Sequence, residues 1–79
     1  MKVALNLDKT PVYYNGHINY AAFLPIINAS RRDAEIILHT QATSDRFESE
    51  TILNLLMNII PGKSTLFFGQ PEADLYLGV

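Results

Sequence analysis

The sequence predicts a small α/β domain, built as a two-layer sandwich in which two helices pack on one mixed sheet of four or five strands. Three observations lead to this fold class. Segments with strand-like alternation lie near both ends, two segments with helical spacing lie between strands, and 48% of the residues are hydrophobic. A chain of 79 residues has room for one domain, which we expect to span residues 1–79.

The chain opens with a predicted strand and a predicted hairpin. In residues 2–7 the large apolar side chains occupy every second position, which indicates a strand with one buried face. Asn15-Gly16 then separates residues 12–14 from residues 17–19. This dipeptide favours a two-residue turn because both of its positions need positive φ. We therefore predict a hairpin here.

A helix and a buried strand are predicted next. Asn19 is a candidate N-cap for a helix that begins near Tyr20 and ends near Arg32. Pro25 lacks the backbone donor that an interior position uses, so the helix is either kinked there or begins there. Residues 34–40 are short and rich in β-branched side chains, which favours a strand. The connection from the first strand through this helix to residues 34–40 is long enough for a parallel crossover, which would be right-handed.

In the second half of the chain, the residue pattern predicts one long helix and two strands. The helix runs from about Asp45 to Ile60, and its apolar residues in 52–60 cover an arc of roughly 200°, about twice the usual core-facing stripe. Residues 64–68 and 75–79 read as strands. The Gly, Pro and Asp residues between them predict the loop of an antiparallel hairpin.

The broad apolar face of the second helix predicts contact with a partner chain. One flank can pack on the sheet and another on the first helix, which leaves Leu53, Leu55 and Met57 for a partner. The terminal strand contains no lysine or proline to protect a sheet edge. We expect a homodimer, formed through the long helix or the terminal strand.

The hairpin is a second candidate interaction surface, since Tyr13, Tyr14 and His17 lie in it and Tyr20 follows it. Tyrosine offers a large contact area with little entropy to lose, and it can also stack on a nucleobase. Alternation sends Tyr13 and Tyr14 to opposite faces, so the core cannot accept both. The simpler alternative is that one face of the hairpin covers the first helix.

Asp8, Thr10, His39 and Thr40 form the candidate site for chemistry. If the first strand and residues 34–40 are parallel, their carboxyl ends share the edge of the sheet where α/β proteins bind ligands. A histidine beside a carboxylate can then act as a base. The alternative is a solvated pair of strand ends with turn-forming residues.

Arg31, Arg32 and His39 form a candidate ligand-binding set. Arginine binds carboxylate or phosphate in a bidentate manner. Two arginines at the end of a helix also interact favourably with the helix dipole and can simply remain solvated.

The composition excludes several classes of site. The chain has no cysteine, which removes disulfides, thiolate metal sites and a cysteine nucleophile. A formal charge of −2 without a basic tract argues against nucleic-acid binding. No window approaches the ~18 apolar residues of a membrane span, so we expect a cytoplasmic protein without a membrane partner. The spacing of His17 and His39 fits no metal site, and we predict no cofactor.

Together these observations favour a small non-enzymatic module of the inhibitor or adaptor type, which acts by binding another protein. Compact accessory proteins of phages and mobile elements are comparable in size. The alternative is a binding protein for a small anionic or nucleotide-like ligand. The third hypothesis is a small enzyme that uses His39 and Asp8.

Overall fold

The computed structural model describes residues 1–11, 13–41 and 57–78. In chain order the elements are β1 (Lys2–Asn6), β2 (Tyr13–Tyr14), β3 (His17–Ile18), α1 (Tyr20–Arg31), β4 (Glu35–Thr40), β5 (Ser64–Phe68) and β6 (Leu75–Leu77). Residues 57–59 form a helical turn ahead of β5. Most of the predicted second helix, with Leu53 and Leu55, lies outside the described residues.

The predicted α/β class is confirmed. Four strands form one sheet in the order β5-β4-β1-β6, and β2 pairs with β3 in a separate sheet of two strands. All three pairings in the four-stranded sheet are parallel. Within the described residues, antiparallel pairing is confined to the hairpin of β2 and β3. The expected parallel relation between the first strand and residues 34–40 is therefore correct.

The predicted antiparallel hairpin of residues 64–68 and 75–79 is wrong. β5 and β6 lie at opposite edges of the sheet, with β4 and β1 between them. The polar residues between β5 and β6 do not form a tight turn. They belong to a segment that crosses the sheet from one edge to the other. The Asp74 carboxylate accepts a hydrogen bond from the Lys2 backbone N–H at 2.7 Å, and the Asp74 N–H donates to the Lys2 carbonyl at 2.9 Å.

Residues 69–74 pass across the face of the sheet that points away from α1. From β1 through β4 to β5 the chain moves across the sheet in one direction, and the connection from β1 to β4 runs through α1. The connection from β5 to β6 runs back in the opposite direction, so a right-handed crossover places it on the face opposite α1. The Tyr76 hydroxyl holds this segment, since it donates to the Pro71 carbonyl at 2.8 Å and accepts from the Ala73 N–H at 3.0 Å. Pro71 is buried as a result.

The main core lies between the central strands and α1. Val3 pairs with Ile36 and Leu5 pairs with Leu38, and all four side chains are buried. They pack with the buried apolar residues of α1, which are Phe23, Ile26 and Ile27, and with Leu7 and Ile60. Ala4 and Ile37, which point to the other face, are also buried. Central parallel strands are typically covered on both faces in this way.

Helix α1 continues through Pro25, which lies inside it. Pro25 is exposed, and its ring removes one intrahelical hydrogen bond without ending the helix. Asn19 occupies the N-cap position, but its side chain makes no capping bond. The Asn19 amide instead donates to the Pro11 carbonyl at 3.0 Å, which joins the start of α1 to the loop after β1.

The hairpin prediction is confirmed. Tyr13 pairs with Ile18 and Tyr14 pairs with His17. Between these pairs, Asn15 has φ of 51° and Gly16 has φ of 76°, as a type I′ turn requires.

Candidate functional site

Asp8 joins the carboxyl ends of β1 and β4. Its Oδ1 accepts a hydrogen bond from Thr40 Oγ1 at 2.6 Å, and its Oδ2 accepts one from the Gln41 N–H at 2.8 Å. Asn6 Oδ1 in turn accepts the Asp8 N–H at 2.8 Å, which closes an Asx turn at the end of β1. These bonds orient an exposed carboxylate at the edge of the sheet.

Thr10 and Gly78 bring the end of β6 to the same place. Thr10 is buried although it lies in the loop after β1. A Cβ placed on Gly78 would lie 2.8 Å from Thr10 Oγ1 and 3.1 Å from the Asn6 carbonyl oxygen. Gly78 also has φ of 75°, which glycine adopts without strain. The backbone after β6 thus packs directly against the loop after β1.

This edge is the topological switch point of the sheet. From β1 the chain continues to β4 on one side, whereas β6 lies on the other side of β1. Open α/β sheets bind ligands in the crevice beyond the carboxyl ends of their strands at such a point. Asp8, Thr10 and Thr40, which the sequence singled out, do come together here, and Asn6, Gln41 and Gly78 complete the set.

His39 does not pair with Asp8 in the way that the enzyme hypothesis requires. Thr40, the next residue along β4, makes the bond to Asp8, and adjacent side chains of a strand point to opposite faces. His39 therefore points to the face away from α1, where it is 1% exposed. Its Nε2 is buried and has no hydrogen-bond partner among the described residues. The structure therefore does not bring the two groups together as a base and its orienting carboxylate.

The two arginines lie far from His39. Arg31 ends α1 and Arg32 follows it, so both lie near the amino end of β4, and both are exposed. His39 lies at the other end of β4, about 13 Å from Glu35 at 3.3 Å per residue. The three predicted ligand-binding residues therefore do not form one site.

The aromatic hairpin is exposed beside the carboxyl edge. The exposed fractions are 47% for Tyr13, 68% for Tyr14 and 54% for Tyr20, and His17 is exposed as well. Met57, the described member of the predicted helical interface, is only partly buried, and its sulfur accepts a hydrogen bond from Ser64 Oγ. Part of the Met57 side chain is thus used within the chain itself.

An apolar groove of about 670 Å³ lies between α1 and β6. Leu24 and Leu75 line it and are 50% and 43% exposed, and Leu77 and Pro25 contribute to its walls. β6 is an edge strand of the sheet, so the groove continues into an edge that no other described strand pairs with. The terminal strand, which has no lysine or proline to protect a sheet edge, does lie at an edge of the sheet.

Asn6, Gln41 and Gly78 were not predicted as site residues. Asn6 carries a local signal, because an asparagine two residues before an aspartate at a strand end can form an Asx turn. Gly78 follows the terminal strand, a position where glycine permits close approach of the backbone. Gln41 contributes its backbone N–H, which every residue except proline has, so its side chain carried no signal.

No protein-family model matches the chain, and no curated protein or solved structure is significantly similar to it. Within residues 1–11, 13–41 and 57–78, no group of three or more His, Cys, Asp and Glu side chains is placed to hold a metal ion. In the same part of the chain, no helix has the length and apolar character needed to cross a membrane. The fold and the edge geometry are therefore the basis for a functional proposal.

Proposed function

We propose that the carboxyl edge of the four-stranded sheet binds a small polar ligand, with the Asp8 carboxylate as its main anchor. The observation that carries this proposal is the double attachment of Asp8 to Thr40 and Gln41 across two strand ends. A carboxylate held in this way has a defined direction before a ligand arrives, which lowers the entropy cost of binding.

The chemistry of the anchor selects the ligand class. An ionised carboxylate accepts hydrogen bonds at about four positions and donates none, so it binds hydroxyl or amide groups. The two arginines that could attract an anion lie near the amino end of β4. We therefore propose a hydroxyl-bearing ligand at this edge, rather than the anionic ligand that the sequence pattern suggested.

The test compares Asp8→Asn with Asp33→Asn. Both changes remove one exposed carboxylate, but Asp33 lies just after α1, and its φ of 64° suits asparagine. A panel of sugars and nucleosides is screened against the unmodified chain by NMR shift perturbation and thermal stabilisation. A ligand at 100 times its Kd stabilises the folded state by about 2.7 kcal/mol.

We expect Asp8→Asn to abolish the perturbation and Asp33→Asn to preserve it. Ligand contacts are read from backbone amides of the folded protein, so a loss of stability in Asp8→Asn does not imitate a loss of binding. Binding that survives Asp8→Asn unchanged, or a panel in which nothing perturbs the amides near residues 6–10, would refute the proposal.

The second candidate function is association with another protein, with a homodimer as its simplest form. The apolar groove beside β6 supports it. Met1 and Leu7 bond to β4, through the Glu35 N–H and the His39 carbonyl, so Ala4 turns its backbone groups to β6 instead. In the register of Ala4 with Tyr76, the Leu75 carbonyl and the Leu77 N–H face β1, which leaves the backbone groups of Tyr76 at the open edge. A two-fold axis at Tyr76 would pair these groups with those of a second β6, extend the sheet and cover both grooves.

Light scattering tests this association. The matched variants are Leu75→Glu at the β6 edge and Phe67→Glu at the β5 edge, because their side chains are similarly exposed, at 43% and 46%. We expect a dimer at high micromolar concentration that dissociates in Leu75→Glu and persists in Phe67→Glu. A strict monomer, or equal dissociation in both variants, would reject a dimer through β6.

A further inference from the structure

The two faces of the hairpin differ in their surroundings. Tyr14 and His17 are directly opposite each other, so their side chains share one face, and both are exposed. Tyr13 shares the other face with Ile18, which is partly buried. This second face is therefore the one turned toward the body of the protein, and it carries a tyrosine that is still 47% exposed.

The chain path limits how far this face can lie from Asp8. Tyr13 follows Asp8 by five residues, so their Cα atoms lie at most about 18 Å apart. Two turns shorten that path, since Lys9 N–H donates to the Asn6 carbonyl and Thr10 N–H donates to the Leu7 carbonyl, both at 3.3 Å. The bond from Asn19 to the Pro11 carbonyl fixes the base of the hairpin to the same loop.

From this arrangement we infer that the ligand of the carboxyl edge is a nucleoside, with a ribose hydroxyl on Asp8 and the base stacked on Tyr13. The inference rests on the proposed function and adds the class of ligand. Aspartate at a sheet edge is suited to ribose hydroxyls, and a tyrosine ring stacks on any base. A neutral nucleoside also avoids placing a second negative charge beside the Asp8 carboxylate.

The test uses two probes, adenosine and methyl β-riboside. Both contain ribose, but only adenosine carries a base. Affinities are measured by NMR titration of the unmodified chain and of three variants: Tyr13→Ala, Tyr13→Phe and Tyr14→Ala. The third variant is the matched control, since it removes the same side chain from the opposite face. The amide shifts of Asn15 and Gly16 report whether the hairpin remains formed in each variant.

We expect adenosine to bind roughly five- to 150-fold more tightly than the riboside, the range that stacking of one base contributes. Tyr13→Ala should reduce adenosine affinity to that of the riboside and leave riboside affinity unchanged. Tyr13→Phe should keep the preference, because stacking uses the ring and not the hydroxyl. Tyr14→Ala should keep it as well.

The remaining outcomes separate two failures. If the riboside binds and adenosine binds no more tightly, the nucleoside inference is wrong while the polar site stands. The same conclusion follows if Tyr13→Ala has no effect on the preference, or if Tyr14→Ala removes it. If neither probe perturbs the edge of the unmodified chain, the nucleoside inference fails. The broader proposal then depends on the other ligands of the panel.

Discussion

Asp8 and Thr40 are separated by 32 residues of sequence and joined by a 2.6 Å hydrogen bond between the carboxylate and the threonine hydroxyl. The bond links the ends of the two central strands, at the edge where the loop after β1 begins. Thr40 is fully buried, so the hydroxyl has little freedom to turn toward water. This pair determines the direction of the only carboxylate that the proposed site requires.

Replacement of Thr40 by valine should destabilise the protein by about 1.5 to 3 kcal/mol, the usual range for a hydrogen bond to a charged group. Valine keeps the shape of threonine and removes the donor. Urea unfolding of Thr40→Val provides the measurement, and Thr65→Val on the exposed side of β5 is the control. Equal midpoints for the two variants would show that the Thr40 bond adds nothing to stability.

Gly78→Ala should be more destabilising than Gly16→Ala. Both glycines have nearly the same φ, 75° and 76°, so the backbone strain of a left-handed alanine, about 1 to 2 kcal/mol, is common to both. A Cβ added at Gly16 would meet no atom of the described residues within 4 Å, whereas one added at Gly78 would meet Thr10 Oγ1 and the Asn6 carbonyl oxygen. The difference between the destabilisation by Gly78→Ala and that by Gly16→Ala thus measures the close contact of Gly78 with Thr10 and Asn6. A difference near zero would mean that β6 can shift to make room for the added Cβ.

His39→Leu should be neutral or stabilising. The imidazole is buried, and its Nε2 has no hydrogen-bond partner in the part of the chain that the structure describes, so an apolar side chain of similar size removes a polar atom that gains nothing from burial. Leu38→Ala, at the neighbouring buried position, provides the scale of a damaging change, about 2 to 5 kcal/mol. Thermal and urea unfolding of both variants are compared, and a loss in His39→Leu as large as that in Leu38→Ala would reveal a stabilising role for the imidazole.

Ser30 and Gly62 should be energetically coupled. The buried Ser30 hydroxyl accepts the Gly62 N–H at 2.8 Å, and a Cβ on Gly62 would lie 2.7 Å from the same oxygen. Gly62→Ala should therefore destabilise the native sequence and cost less in the Ser30→Ala background, where the oxygen is absent. A double-mutant cycle measures this coupling, for which we expect about 0.5 to 3 kcal/mol; strict additivity would contradict the contact.

Several features were predictable because their causes are local. The alternation of Val3, Leu5 and Leu7 predicted a strand with one face in the core, and these side chains are buried. Asn15-Gly16 predicted a turn that depends only on the φ preferences of those two residues. The parallel relation of β1 and β4 also followed from sequence, because the connection through α1 is long enough for a crossover.

The functional residues were predictable only in part. Asp8, Thr10 and Thr40 were identified as a set because parallel strands end at the same edge. The partner of Asp8 was not predictable, because the choice between His39 and Thr40 depends on which of these two adjacent side chains points toward the loop. The inclusion of Gly78 depended on the position of β6 beside β1, which no local pattern encodes.

By itself, the sequence determined the α/β class, the hairpin, the buried face of the central strands and the grouping of polar residues at their carboxyl ends. Only the tertiary structure decided the order of the strands, the crossing of residues 69–74 and the separation of the arginines from His39. The physical reason is that periodicity and turn chemistry act between near neighbours. Strand order, in contrast, depends on which non-local pairing buries both faces of the sheet and satisfies the backbone of the connecting segments.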